Sequence, residues 1–134
     1  MHTGMVYQGG EKMSKSLGNL TLVSDLLKTY TADAIRIVLQ SHHYRHPWEC
    51  FPQDLQEAMQ KVELFQHVRS LVGRQVEGED TILRNRVKAA LNDDLDTPEA
   101  LLLLKEAAET VAVNHDLNTG AEILRLTTML GLCV

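Results

Sequence analysis

Two lysines and two hydroxyl side chains stand together near the start of the chain. The segment is Lys12-Met13-Ser14-Lys15-Ser16, and Leu17-Gly18-Asn19 follows it. Lysine carries a compact positive charge on a long stem, which suits it to follow charge that moves during phosphoryl or adenylyl transfer. A loop of this composition can close over a polyphosphate. A lone pair of lysines at this spacing is usually an exposed basic turn, so the complete five-residue pattern carries the interpretation.

The residues before this segment predict a β-hairpin that would position it. Extended pieces are expected at residues 4–8 and 11–13, on either side of Gly9-Gly10. Paired glycines supply the positive φ angles that a tight turn needs. The basic segment would then lie directly after the hairpin.

Helical spacing of apolar residues begins after Leu20 and predicts two short helices, the second capped by Thr31. Residues 41–51 show no periodicity and are expected to form an ordered loop. The apolar positions of the two helices are Leu22, Val23, Leu26 and Leu27, then Ala34, Ile35, Val38 and Leu39.

The remainder predicts a bundle of about four helices. Pro52 suits a first turn, and the longest apolar stripe runs from there to Gly73. That stripe comprises Leu55, Met59, Val62, Phe65 (or Leu64), Val68 and Val72. The predicted fold class is therefore mainly α, divided into residues 1–51, with the hairpin and basic loop, and residues 52–134, the helical bundle.

Three shorter helices complete the predicted bundle. The first contains Ile82, Val87 and Leu91. The next starts at Thr97-Pro98-Glu99, which combines a capping hydroxyl, proline at the first helical position and a carboxylate at the positive helix end, and it runs to about His115. The last is expected over residues 119–130.

Composition excludes several classes of protein. The chain has 134 residues, 44% of them hydrophobic and 23% charged, so one ordinary globular domain is expected rather than a disordered or fibrous chain. No apolar run reaches the roughly 20 residues that span a membrane. The first residues lack the features of a secretion signal, which predicts a cytoplasmic protein without a membrane partner.

Charge is distributed unevenly along the chain. The net charge is −5, and the acidic excess lies after residue 52. Carboxylates repel a nucleic-acid backbone, so the C-terminal part is not expected to bind tRNA by itself. Phosphate chemistry is therefore expected near the N-terminus.

Three segments, taken with the basic loop, resemble the cysteinyl-tRNA synthetases of class I. They are residues 2–6 (HTGMV), 43–45 (HYR) and 93–100 (DDLDTPEA). The resemblance implies ATP-dependent activation of cysteine to cysteinyl-adenylate, followed by transfer to the 3′ end of a tRNA. It also implies that Lys15 contacts the ATP phosphates most directly, that Lys12 assists, and that Met13, Ser14 and Ser16 belong to the ATP signature loop.

Two alternatives remain open. Residues 19–24 (NLTLVS) and 129–134 (MLGLCV) resemble the mycothiol cysteine ligases, which activate cysteine in the same way and transfer it to an amino-sugar. A stand-alone helical binding module that has kept the synthetase sequence without catalysis is the other alternative.

The resemblance also implies parts that this sequence does not contain. The nucleotide-binding domain with its His-Ile-Gly-His-type signature and the anticodon domain have no counterpart here, and the family's cysteine-selecting zinc is bound by residues upstream of this segment. The chain is therefore expected to be a piece of a longer enzyme and to be inactive alone.

Two clusters could suggest metal sites. His42, His43, His46 and Cys50 have zinc-like spacing, but four side chains would have to converge, so a packed or tRNA-facing loop is preferred. The aspartates at 93, 94 and 96 lack the glycine and glutamate of a calcium-binding loop, so a solvated helix boundary is expected. No metal ligand is assigned, and Trp48 is expected to fasten its loop to the core.

Overall fold

The computed structural model describes residues 2–73 and 78–134 and contains three short strands and six helices within them. In chain order these are β1 (Val6–Gln8), β2 (Glu11–Lys12), α1 (Val23–Leu26), α2 (Ala32–Gln40), β3 (Trp48–Glu49), α3 (Pro52–Val72), α4 (Thr81–Asn92), α5 (Thr97–Asn114) and α6 (Leu117–Met129). The mainly α prediction is confirmed. Among the described residues, no helix combines the length and apolarity needed to cross a membrane.

The predicted hairpin is present, and a third strand extends it. Strands β1 and β2 pair antiparallel across Gly9 and Gly10, whose φ angles are 62° and 77°. Strand β3 pairs parallel to the other edge of β1, with Val6 opposite Trp48. The expectation that residues 41–51 form only a loop was therefore wrong. A two-residue strand carries no periodicity of its own, and its pairing with β1 is visible only in the folded chain.

Helix α2 connects this small sheet to the bundle. The hydroxyl of Thr31 accepts a hydrogen bond from the amide of Ala34 at 3.2 Å, which confirms the predicted cap. The apolar face of α2 packs against α3 and α5. The N-terminal sheet and the helical bundle thus share one continuous core.

Helices α3 to α6 form the predicted bundle, with α3 as its longest member. Helix α3 starts at Pro52 and is followed by Gly73, as expected. Phe65 is fully buried and Leu64 only partly so, which decides the alternative left open by the sequence. Met59 is partly buried and packs against the core, and Ala58, which the predicted stripe did not include, is buried as well.

The buried face of α4 differs from the predicted one by a residue. Ile82 is 76% exposed, whereas the neighbouring Leu83 is only 5% exposed. Val87 is buried as expected. The sequence offers two adjacent apolar residues, and the packing of α4 against α5 and α6 selects the second.

A buried carboxylate fastens α4 to α6. Glu122 is 1% exposed, and both of its oxygens accept hydrogen bonds from the guanidinium of Arg84, at 2.7 and 2.6 Å. Arg125 donates to the same carboxylate at 3.2 Å. Burial of a charge is costly unless it is paired and hydrogen-bonded, so these two arginines stabilise the ionised state of Glu122.

The cap of α5 also differs from the prediction. The carboxylate of Asp96, and not the hydroxyl of Thr97, accepts the hydrogen bond from the amide of Glu99, at 3.0 Å. Thr97 is the first helical residue, with Pro98 second. The assignment of Thr97 as the cap was wrong because Asp and Thr are both good caps and Pro is compatible with either register.

Alanine substitutions should distinguish these two capping assignments. Asp96→Ala should lower the free energy of unfolding by about 1 kcal/mol, because it removes the acceptor for the Glu99 amide. Thr97→Ala should change it much less. Urea denaturation followed by circular dichroism measures both variants, and a larger loss in Thr97→Ala would contradict the Asp96 cap.

The buried ion pair should make stability depend on pH. The hydrogen bonds from Arg84 lower the pKa of Glu122 from its ordinary value of 4.5. Since the pKa is lower in the folded state, this contribution is complete above the pKa of the unfolded chain and is lost as the pH falls through the folded pKa. Glu122→Gln should destabilise the protein at neutral pH by about 3 kcal/mol and weaken its acid sensitivity.

Glu79→Gln is the matched control, because Glu79 pairs with the same arginine at 3.4 Å but is mostly exposed. It should have little effect, as exposed ion pairs contribute little. Denaturation curves between neutral and acid pH test both variants. Equal losses of stability in Glu122→Gln and Glu79→Gln would show that burial does not determine how much each ion pair with Arg84 stabilises the protein.

Candidate functional site

The signature segment begins in the hairpin and turns away from it. Lys12 is the last residue of β2, and the amide of Met13 donates to the carbonyl of Val6 on β1 at 3.0 Å. The pairing of β1 with β2 therefore determines where the segment leaves the sheet. Residues 15–18 then form a turn in front of α1.

Asn19 closes this turn with its side-chain amide. Its Oδ1 accepts a hydrogen bond from the amide of Ser14 at 2.9 Å, and its Nδ2 donates to the carbonyl of Lys12 at 3.3 Å. The two ends of the loop are thus bridged by one side chain. No role was assigned to Asn19 from the sequence, although asparagine is a common turn residue because its side chain can hydrogen-bond nearby backbone groups.

The two serines form hydrogen bonds within the loop. Their hydroxyl oxygens lie 3.2 Å apart, and Ser14 Oγ accepts from the amide of Leu17 at 3.3 Å. Gly18, with φ 68°, donates to the carbonyl of Lys15 at 3.3 Å. Ser14 and Ser16 therefore lie where they can shape the loop.

The two lysines project from this loop into solvent. Both are exposed, and neither forms an ion pair with any residue in the ranges 2–73 and 78–134. The nearby carboxylate of Glu49 instead accepts a hydrogen bond from the amide of Gly10 at 2.8 Å. The two ammonium groups can therefore bind an external anion without first breaking an ion pair.

Met13 lines an apolar cavity of about 150 Å³. Cys50 lines the same cavity, and burial raises the pKa of its thiol. The signature segment therefore contributes one apolar side chain to this cavity, while both of its lysines are exposed. Other lining residues come from β1, α1 and α2, namely Val6, Val23, Leu26, Ile35, Val38 and Leu39.

The histidines after α2 have other contacts. His42 stacks on Trp48 with ring centroids 4.0 Å apart, and burial lowers the pKa of that histidine. Trp48 packs on the core, as expected. Within the described part of the chain, no group of three or more His, Cys, Asp or Glu is arranged to bind a metal ion. These residues therefore do not fit the zinc site that the resemblance implies for the longer enzyme.

Two segments that carry the family resemblance meet in space. The carboxylate of Asp94 accepts hydrogen bonds from the hydroxyl of Tyr44 at 2.8 Å and from Arg45 Nη2 at 2.8 Å, and Arg45 Nε lies 2.7 Å from its other oxygen. His43 Nε2 is 3.9 Å from that oxygen. Asp94 is exposed at the boundary between α4 and α5, as expected. Its contacts with Tyr44 and Arg45 were not predicted, because contacts between distant segments cannot be derived from either segment alone.

The comparisons with known proteins agree with the resemblance. Residues 1–60 match the family model described as the tRNA synthetases class I (C) catalytic domain. The L-cysteine:1D-myo-inositol 2-amino-2-deoxy-alpha-D-glucopyranoside ligase of Nocardiopsis dassonvillei is 38% identical over 130 residues, which cover 96% of this chain and 31% of the ligase. The corresponding ligase of Thermobifida fusca is 40% identical over 130 residues, which cover 96% of this chain and 31% of that ligase.

The cysteine–tRNA ligase of Azotobacter vinelandii is 38% identical over 134 residues, which cover 98% of this chain and 29% of that enzyme. The chain thus spans less than a third of the length of these relatives. Both kinds of enzyme suggested by the sequence are represented. The resemblance seen in the sequence is therefore confirmed: residues 1–60 match the class I tRNA synthetase family model, and the chain is similar to a segment shared by cysteine–tRNA ligases and L-cysteine:amino-sugar ligases.

Proposed function

We propose that this chain is the signature-bearing part of an ATP-dependent ligase that activates cysteine as cysteinyl-adenylate. The observation that carries the proposal is the closed loop of residues 12–19 after the hairpin, which presents two exposed lysines that form no ion pair with the described residues. Both kinds of relative, the tRNA ligases and the amino-sugar ligases, are named as ligases of cysteine. Their names support cysteine as the amino acid that is activated.

In the proposed reaction the carboxylate of cysteine attacks the α-phosphorus of ATP. A new oxygen–phosphorus bond forms, and the bond to the leaving pyrophosphate breaks with its electron pair on the departing oxygen. Negative charge therefore grows on pyrophosphate, and Lys15, assisted by Lys12, would stabilise it. Ammonium groups already carry their protons, so neither lysine acts as a general base.

The site that binds the cysteine side chain lies outside this chain in our proposal. As the family resemblance implies, zinc would select the thiol, with ligands from a part of the longer enzyme upstream of this segment. We also propose that the longer enzyme works in the cytoplasm.

Two acceptors remain for the activated cysteine. The relatives include ligases for tRNA and for an amino-sugar, at similar identity. We favour tRNA, since the sequence resembles cysteinyl-tRNA synthetases in three segments and in the signature itself. Incubation of the longer enzyme with labelled cysteine, ATP and each acceptor in turn tests this choice: labelled tRNA supports it, and labelled amino-sugar contradicts it.

A helical binding module without catalysis is the second candidate. It is favoured by the bundle of α3 to α6, which supplies most of the buried core residues and carries the acidic excess of the chain. Cysteine-dependent exchange of pyrophosphate into ATP separates the candidates. The longer enzyme should catalyse it, while the 134-residue chain should fold and show no exchange above background. Absence of exchange in the longer protein would favour the binding module.

Lys15→Ala in the longer enzyme should slow adenylate formation far more than it weakens cysteine binding. A contact that strengthens as charge develops stabilises the transition state more than the ground state. Its loss commonly costs about 3 kcal/mol, or about a hundredfold in rate. Rapid-quench measurement of adenylate formation gives the rate directly.

Two further variants sharpen this test. Lys12→Ala should cost less than Lys15→Ala, and Lys15→Arg should restore only part of the rate, since a planar guanidinium cannot follow a moving phosphate as a point charge does. An unchanged rate in Lys15→Ala, with only the affinity for cysteine reduced, would remove Lys15 from the proposed role.

A further inference from the structure

We propose that Asp94, although it lies in the helical bundle, is a positioning residue for the signature loop. The proposal rests on the function proposed for that loop. Asp94 does not touch the loop, and it would act through Tyr44 and Arg45 on strand β1, which carries the hairpin and the two lysines.

The first step is the contact between the bundle and the segment after α2. One oxygen of Asp94 accepts from the hydroxyl of Tyr44 and from Arg45 Nη2, each at 2.8 Å, and Arg45 Nε lies 2.7 Å from the other oxygen. Arg45 Nε also lies 2.7 Å from the hydroxyl of Tyr44. The Tyr44 hydroxyl and the Arg45 guanidinium thus orient one another around a single carboxylate.

The backbone at Asp94 supports a dedicated role. Asp94 and Leu95 have φ angles of 53° and 57°, in the left-handed region that residues other than glycine rarely adopt. Such a conformation persists where the surrounding structure holds it, and it occurs often at functional sites. This turn between α4 and α5 holds the carboxylate against Tyr44 and Arg45.

The second step links that segment to the start of β1. The amide of Gly4 donates to the carbonyl of Tyr44 at 2.7 Å. A Cβ atom on Gly4 would lie 2.1 Å from the carbonyl oxygen of His46, so only glycine allows this approach. A displacement of residues 44–46 would therefore displace the backbone at Gly4.

The third step links strand β1 to the loop that contains the two lysines. The amide of Trp48 donates to the carbonyl of Met5, the residue just before β1, at 3.1 Å, and the amide of Met13 donates to the carbonyl of Val6 on the other edge of β1 at 3.0 Å. Strand β1 thus lies between the segment held by Asp94 and the signature loop. The position of β1 therefore determines where the signature loop leaves the sheet.

The alternative is that Asp94 only stabilises the fold. In that case its contribution to the free energy of unfolding is expected to be small. Asp94 and Arg45 are both partly exposed, and ion pairs of this kind contribute little to the free energy of unfolding. Loss of Asp94 should thus alter loop geometry more than stability.

Asp94→Asn tests the proposal with little change in shape. Asparagine tolerates the left-handed conformation, but it places an amide donor where Arg45 also donates. Asp93→Asn is the matched control, since Asp93 is an exposed neighbour of the same charge. In the 134-residue chain, Asp94→Asn should shift the NMR signals of the Gly4 amide and of the Met13 and Ser14 amides, and the control should shift none of them.

Shifts confined to Gly4 and Tyr44, with Met13 and Ser14 unchanged, would indicate a local structural role and overturn the proposal. Tyr44→Phe, which removes only the hydroxyl, provides the same measurement if Asp94→Asn fails to fold. Unchanged loop signals in that variant would likewise overturn it.

Kinetics of the longer enzyme give an independent readout. Asp94→Asn should lower kcat for adenylate formation several-fold while KM for cysteine and the melting temperature stay near those of Asp93→Asn. Combined with Lys15→Ala, it should add little further loss, because residues that act through one group are not additive.

Equal kcat in Asp94→Asn and Asp93→Asn would also overturn the proposal. If the unsubstituted longer enzyme shows no cysteine-dependent exchange, the proposed function fails, and the NMR comparison still decides whether Asp94 positions the loop.

Discussion

Strand β1 is hydrogen-bonded along both edges, to β2 through Tyr7 and Gln8 and to β3 through Val6 and Tyr7. The order β2-β1-β3 places this strand in the middle of the sheet. One edge leads into the signature loop, and the other is joined to the segment that follows α2. Because α2 packs on the bundle, a strand of three residues connects the basic loop to the whole helical core.

Charge is arranged differently in the two parts of the molecule. The signature lysines are exposed and unpaired within the described ranges, which leaves them available to an anion. In the bundle, the carboxylate of Glu122 is buried and satisfied by two arginines. Unpaired charge would be costly inside the core but is tolerated on the surface. The loop is therefore suited to binding, whereas the buried network joins helices.

Local signals predicted most elements because their causes are local. Paired glycines require a tight turn, Thr31 provides a cap, and Pro52 starts α3. Errors arose where neighbouring residues offered equivalent chemistry. Asp96 and Thr97 can both cap a helix, and the rotation of a helix around its axis depends on the partner surface it meets.

The sequence by itself determined the helical class, the hairpin, the signature loop and the resemblance to cysteine ligases, since these depend on residue type and short spacing. Tertiary structure decided that β3 joins the sheet, that Asn19 bridges the loop, and that Asp94 meets Tyr44 and Arg45. A contact between segments that are distant in sequence depends on how whole elements pack. The sequence of either segment alone therefore does not predict the contact. The approach of Gly4 to His46 is of this kind: the glycine is visible in the sequence, but its neighbour is visible only in the fold.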